Sequence, residues 1–330
     1  PCTGVAGARF FFPTTIHSRT EINMKALKIA APAAAASLLL SYKCYKTVFC
    51  RGPEPAEDEI FDGSPLASYR DEIDRGLRFI DAQPFEQVYM TAWDGVRLAG
   101  KYYPAENERS LVILFHGYRS TAKRDFSYIF SQLLGDGRSV LLVDQRAHGL
   151  SGGDTIGFGV LERLDCLDWV NYAVERFGSD LPIFIYGVSM GASTVLSACE
   201  FPLPANVAGI VADCGFTSVE EIIKVGLRRR GRHASLAWPL VRLGALVFGR
   251  FDPADGKVEE ALRRCRLPVL FIHGEGDRLT PCDMSRRNYA ACAGEAVLVT
   301  VPGAGHGLSY PADSKKVGTA LCDFFERYGG

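Results

Sequence analysis

Six short, nearly continuous apolar runs mark the second two thirds of the chain: Leu111 to Phe115, Val140 to Val143, Ile183 to Tyr186, Gly209 to Ala212, Val269 to His273 and Ala296 to Val301. Amphipathic segments of helix length separate them. Strands that are apolar on both sides must be covered on both sides, so this alternation predicts a parallel sheet between two layers of helices. Ahead of it, Phe85 to Ala92 and Val96 to Tyr103 flank Trp93-Asp94-Gly95, which predicts an antiparallel hairpin with Asp-Gly in the turn. Together these give an α/β fold with a mostly parallel, eight-stranded sheet. Residues 214 to 266 are far more than one crossover helix needs and predict a small helical cap inserted after the sixth strand.

The pattern differs before residue 85. Residues 1 to 23 show no sustained period and read as an extension without function, with Met24 directly after them. In residues 24 to 50, Lys25 and Lys28 precede an uncharged run from Ile29 to Tyr42, and Lys43 and Lys46 follow it. This is the shape of a signal peptide or a signal anchor. The run would span about 21 Å as a helix, short of the hydrocarbon layer unless the flanking lysines snorkel. No small-x-small site follows Leu40, so an uncleaved membrane anchor is expected rather than a secreted, cleaved form. A buried Ala-rich helix is the bland alternative. Residues 51 to 84 are charged, carry Pro53, Pro55 and Pro65, and read as a linker with an amphipathic helix around Tyr69 to Ile80. The globular domain is assigned to residues 85 to 330.

Charge narrows the function. Among 330 residues, 37 Lys and Arg balance 38 Asp and Glu, so no global field gathers polyanions, and nucleic acid is not an expected partner. The ten cysteines lack CxxC pairs or zinc-like spacing, so no metal or cofactor is called for. Cys166, Cys199, Cys214 and Cys322 sit in apolar segments and read as small buried hydrophobes.

The chemistry centres on Gly187-Val188-Ser189-Met190-Gly191, between a predicted strand and a predicted helix. A chain that turns from strand to helix within a residue or two strains its central residue, and small neighbours permit this. The result is an exposed serine hydroxyl at a helix N-terminus. A serine needs a base to take its proton, and the base needs an acid to hold its tautomer. His306, in Pro302-Gly303-Ala304-Gly305-His306-Gly307, and Asp277, in the loop after His273, both follow strand C-termini. In a parallel sheet such loops share one edge, so Ser189, Asp277 and His306 can converge. Asp213, after the sixth strand, is a rival acid. Glu275 reads as a solvated loop carboxylate.

These residues, in the order Ser, Asp, His, resemble the α/β-hydrolase superfamily from about Phe85 to Tyr328. His116-Gly117-Tyr118-Arg119-Ser120, Asp144 to Ser151 and the Asp277 loop are similar to the membrane-anchored bacterial branch related to serine aminopeptidases and prolyl-oligopeptidase-like esterases. Gln145-Arg146-Ala147-His148 departs from the more usual Arg-Gly-His-Gly wording. The resemblance implies a serine hydrolase that cleaves a carboxylic ester through an acyl-enzyme on Ser189. It also implies an oxyanion hole made by the backbone N–H groups of Tyr118 and Met190. The implied partners are a small-molecule ester or short peptide, and a membrane reached through the N-terminal segment. His116 and His148 are expected to brace loops rather than act as bases. Two other readings stand beside the esterase: an aminopeptidase or amidase, which needs a carboxylate such as Glu220 or Glu221 for the substrate amine, and a catalytically silent, membrane-tethered binding protein. Within the cap, Arg228 to His233 is the strongest basic cluster, read as a solvated or membrane-facing patch or as a guide for acidic substrates. Trp238, Leu240, Leu243, Leu246 and Phe248 are expected to pack the cap on the core.

Overall fold

The computed structural model describes residues 16–53 and 65–329. The chain opens with helix α1 (Ile16–Val48), followed by α2 (Arg70–Ala82). Most of the segment read as an extension, residues 1 to 15, and much of the linker, residues 54 to 64, lie outside the described residues; residues 16 to 23 are the first turns of α1. The amphipathic helix expected before the domain is α2, which buries Ile73 and Ile80.

The strands are β1 (Glu86–Thr91), β2 (Arg97–Tyr103), β3 (Ser110–Phe115), β4 (Arg138–Asp144), β5 (Ile183–Val188), β6 (Val207–Asp213), β7 (Val269–Gly274) and β8 (Ala296–Val301). They form one sheet in the order β1-β2-β4-β3-β5-β6-β7-β8, antiparallel where β2 meets β1 and β4 and parallel elsewhere. Every residue of β3, β5 and β7 is buried, as the apolar runs require. Alternation divides them between two layers. Leu111, Ile113 and Phe115 face one apolar cluster, and Val112 and Leu114 face the other.

On the Phe126 side lie α3 (Ala122–Phe126) and α4 (Phe130–Gly135). On the Trp169 side lie α5 (Glu162–Phe177) and α6 (Met190–Ala198). The cap is α7 (Val219–Arg229), α8 (Ala234–Gly244), an irregular turn and the short α9 (Val258–Leu262). The chain returns through α10 (Cys282–Ala291), α11 (Ser309–Ala312) and α12 (Ser314–Gly329).

Two expectations about packing are corrected. Cys166, Cys199 and Cys214 are buried, but Cys322 is only half-buried, with its thiol between Gln132 and Asp136. In the cap, the face turned to the core is Ala234, Trp238, Val241 and Gly244, not the longer stripe. Leu240, Leu243 and Phe248 are half-buried, and Leu246 is 44% exposed. With Arg242 its only charged residue, α8 is apolar nearly all round, so its pattern does not say which side points inward.

The uncharged N-terminal run is part of α1. Among the described residues no helix is long and apolar enough to cross a membrane. The end of α1 is instead built into the domain: Tyr45, Phe49 and Cys50 are buried among Phe158, Phe216, Trp238 and Phe251. The Phe49 ring meets the edges of Phe158 and Phe251 at centroid distances of 5.8 and 5.3 Å. Close approach is possible because Gly244 has no side chain; a Cβ there would fall 2.3 Å from the Ser41 carbonyl oxygen.

Candidate active site

β5 ends at Val188, α6 begins at Met190, and Ser189 sits between them at φ +56° and ψ −114°. A non-glycine residue there is strained and must be held by its surroundings. The flanking glycines show why this turn is possible: a Cβ on Gly187 would lie 2.1 Å from the Gly191 carbonyl oxygen, and one on Gly191 would lie 1.9 Å from that of Phe115. The Ser189 N–H donates to the Asp213 carbonyl at 2.8 Å, which ties the turn to β6.

The loops after β7 and β8 bring the other two side chains to it. His306 Nε2 is 2.9 Å from Ser189 Oγ, and His306 Nδ1 is 2.6 Å from Asp277 Oδ2. The Asp277 side chain is wholly buried. Oδ1 accepts the N–H groups of Leu279 and Thr280 at 2.7 and 2.9 Å. Oδ2 accepts from His306 and lies 3.3 Å from His273 Nε2, whose N–H donates to the Thr280 carbonyl at 2.8 Å. Burial by itself would raise this carboxyl, but the adjacent His273 and the hydrogen bonds from His306 and Thr280 outweigh it and hold the group far below the ordinary carboxylate range. An ionised carboxylate only accepts, so Nδ1 of His306 carries the proton and Nε2 is free to accept from Ser189.

Asp213 is the opposite case. It is equally buried, but among the described residues neither oxygen has a hydrogen-bond partner, and burial pushes it up to about 7. Asp213 makes no hydrogen bond to His306, whose Nδ1 is taken by Asp277. Glu275 is at the surface with Thr300 and Arg286, as a solvated carboxylate should be.

His116 and His148 brace loops. His116 Nε2 accepts from the Gln145 N–H at 3.1 Å while Nδ1 donates to the Gly117 carbonyl at 2.8 Å. His148 Nε2 accepts from the Arg119 N–H at 3.0 Å, and Nδ1 donates to Arg146. Burial lowers both, His148 to about 3, so they stay neutral at these posts. Arg146, in the stretch that departs from the usual wording, is buried between Asp165 and Asp94 and is scaffold.

The loop after β3 reaches Ser189: a Cβ on Gly117 would lie 3.4 Å from that of Ser189. Tyr118 follows it, and Met190 begins α6 with its side chain in the same apolar cluster as Phe49, Phe158 and Phe216. The side chains of this loop grip the end of α1. Tyr118 Oη donates to the Val48 carbonyl at 2.9 Å, and the Arg119 guanidinium donates to those of Thr47 and Cys50, both at 3.0 Å. The grip was not foreseen from sequence, and neither was the closeness of His273 to Asp277; a histidine near the end of an apolar strand, four residues before Asp277, was the only signal for the latter.

Cys214, Asp277 and His306 offer ligand atoms within 4.8 Å of one another. Asp277 and His306 of this group are already hydrogen-bonded to each other.

The fold and this constellation define an α/β-hydrolase. The family described as serine aminopeptidase, S33, matches residues 106–248, and the one described as TAP-like protein matches residues 251–327. The chain belongs to the α/β-hydrolase superfamily and to the hydrolase class of enzymes. It is 26% identical over 236 residues to the uncharacterised protein YqkD of Bacillus subtilis, covering 69% of this chain and 76% of that one. With the uncharacterised protein YfhR of Escherichia coli K12 it shares 23% over 229 residues, 67% of this chain and 73% of that one. Among solved structures, the Pyrococcus furiosus esterase Pf2001 superposes with a TM-score of 0.61 at 21% identity, over 76% of this chain and 94% of that one. Est1E of Butyrivibrio proteoclasticus, solved with ferulic acid bound, superposes with a TM-score of 0.57 at 20% identity, over 73% of this chain and 98% of that one.

Proposed function

We propose that the protein is a serine esterase that acts on small esters with an apolar acyl group. The observation that carries this reading is the unbroken hydrogen-bonded series from Ser189 through His306 to the ionised Asp277. Ser189 Oγ gives its proton to His306 Nε2 as it attacks the ester carbonyl, and Asp277 stabilises the imidazolium that forms. The N–H groups of Tyr118 and Met190 receive the oxyanion. His306 then returns the proton to the leaving alcohol, and a water activated by the same histidine releases the acid. The acyl chain takes the apolar side, where Met190 adjoins Phe158 and Phe216.

The ester reading is favoured over the aminopeptidase one because the two cap carboxylates are already engaged. Glu220 pairs with Lys224, and Glu221 accepts from Thr217 and Arg287. The test is labelling by a fluorophosphonate together with turnover of nitrophenyl esters of increasing length beside aminoacyl amides. Wild type should label and prefer esters, and Ser189→Ala should fold and do neither. Equal labelling of the alanine variant would move the nucleophile elsewhere, and faster cleavage of aminoacyl amides would favour a peptidase.

A further inference from the structure

α8 keeps Trp238 and Val241 inward, yet its outer side is also apolar. Leu236 is 74% exposed there, Leu240 and Leu243 follow it at i+4 and i+7, and Leu246 and Val247, 44% and 46% exposed, continue past its end. α1, whose backbone touches α8 at Gly244, adds exposed Leu38, Leu39, Leu40 and Tyr42, the last against Phe248 at 5.0 Å between ring centroids. Seven of the large apolar side chains left open to solvent therefore belong to this one pair of helices and the turn after it, whereas a helix with a single buried face normally exposes a polar one.

The surroundings are cationic. Arg228 and Arg229 in the last turn of α7, and Arg230 and Arg232 between α7 and α8, are exposed, as are Lys43 and Lys46 on α1. The clusters belong together: Arg232 lies close enough to Cys44 of α1, and Arg230 to Tyr118, for their charges to act on those side chains. An apolar helix pair edged by arginine and lysine is the chemistry of a helix that lies in the interface of an anionic bilayer, with leucines among the acyl chains and cations among the headgroups. Crossing is not required, and no described helix is built for it.

We propose that α1 and α8 form a docking face for an anionic lipid bilayer, with the cap lying on the surface and the Tyr118 loop close to it. The face, rather than the chemistry at Ser189, carries the inference, and the two are read separately in the test. The full chain is sedimented with sucrose-loaded vesicles of phosphatidylcholine alone or of equal parts phosphatidylcholine and phosphatidylglycerol, and nitrophenyl acetate turnover is measured on the same samples. Wild type should partition at least about tenfold more strongly onto the anionic vesicles and come off at high salt. The double variant Leu236→Glu with Val247→Glu, and the triple variant Arg228→Ser, Arg229→Ser and Arg232→Ser, should each lose that partitioning by about tenfold or more while turning over nitrophenyl acetate as wild type does. Equal binding to neutral vesicles, or undiminished binding by the double variant, overturns the proposal. So does a dimer in light scattering that the double variant dissociates, since the face would then belong to a second copy. Absence of turnover in every sample would count against the esterase reading and leave the docking result standing.

Discussion

Two buried aspartates at neighbouring strand ends, Asp277 after β7 and Asp213 closing β6, differ in what reaches them. Three hydrogen bonds and the neighbouring His273 keep the first ionised, and no hydrogen bond among the described residues reaches the carboxyl of the second. Asp277→Asn should therefore lower kcat by about a thousandfold to ten thousandfold, while Asp213→Asn changes it less than about tenfold. Steady-state ester hydrolysis by both variants decides this, and the reverse ranking would place the acid on β6. The second aspartate also makes a stability prediction. Burial lifts Asp213 from 3.8 to about 7, so the folded protein holds a proton that the unfolded chain has already lost. Its cost to stability is absent below about 4, grows as pH rises, and is complete above about 7. Asp213→Asn removes a group that pays this cost, so calorimetry should show a larger gain in Tm at pH 8 than at pH 5; an equal gain would mean the carboxyl ionises freely. Sequence order nominated both acids, but the choice between them depends on the backbone N–H groups of residues 279 and 280 and on a histidine from β7. A pattern of residue types does not reveal such donors.

At the scale of elements, the strand, elbow and helix around Ser189 were legible because the steric demand is local and falls on adjacent residues. Gly187→Ala and Gly191→Ala each drive a methyl group into backbone at about 2 Å. Each should leave little soluble, folded protein, and a variant with normal circular dichroism and activity would show that the elbow can relax. The end of α1 is the contrary case. Its apolar run was legible, but what it packs against was not, since Tyr118 and Arg119 lie about seventy positions away and Thr155, Phe158, Trp238 and Phe251 more than a hundred. A fully buried aromatic ring with two edge contacts predicts that Phe49→Ala costs about 3 to 5 kcal/mol in urea denaturation, whereas a helix that merely tethers the domain would cost almost nothing.

Across the whole molecule, the sheet was predictable because strands apolar on both faces admit few arrangements, and its parallel order carries the loops after β3, β5, β7 and β8 to one edge. The join between that edge and the N-terminal helix was not, since two neighbouring side chains, Tyr118 and Arg119, the latter at φ +51°, span it. A chain begun at residue 51 should therefore lose at least about tenfold in kcat/KM for esters, because the loop carrying Tyr118 loses the carbonyls that hold it; undiminished activity would show that the loop stands alone. The same grip has a bearing on descent. A lineage that discards the helix strands the donors of Tyr118 and Arg119 and opens a hole beside Phe158, so the four features form one unit of inheritance. Homologues without the helix are expected to have replaced all three residues together, and those that keep it to have kept them.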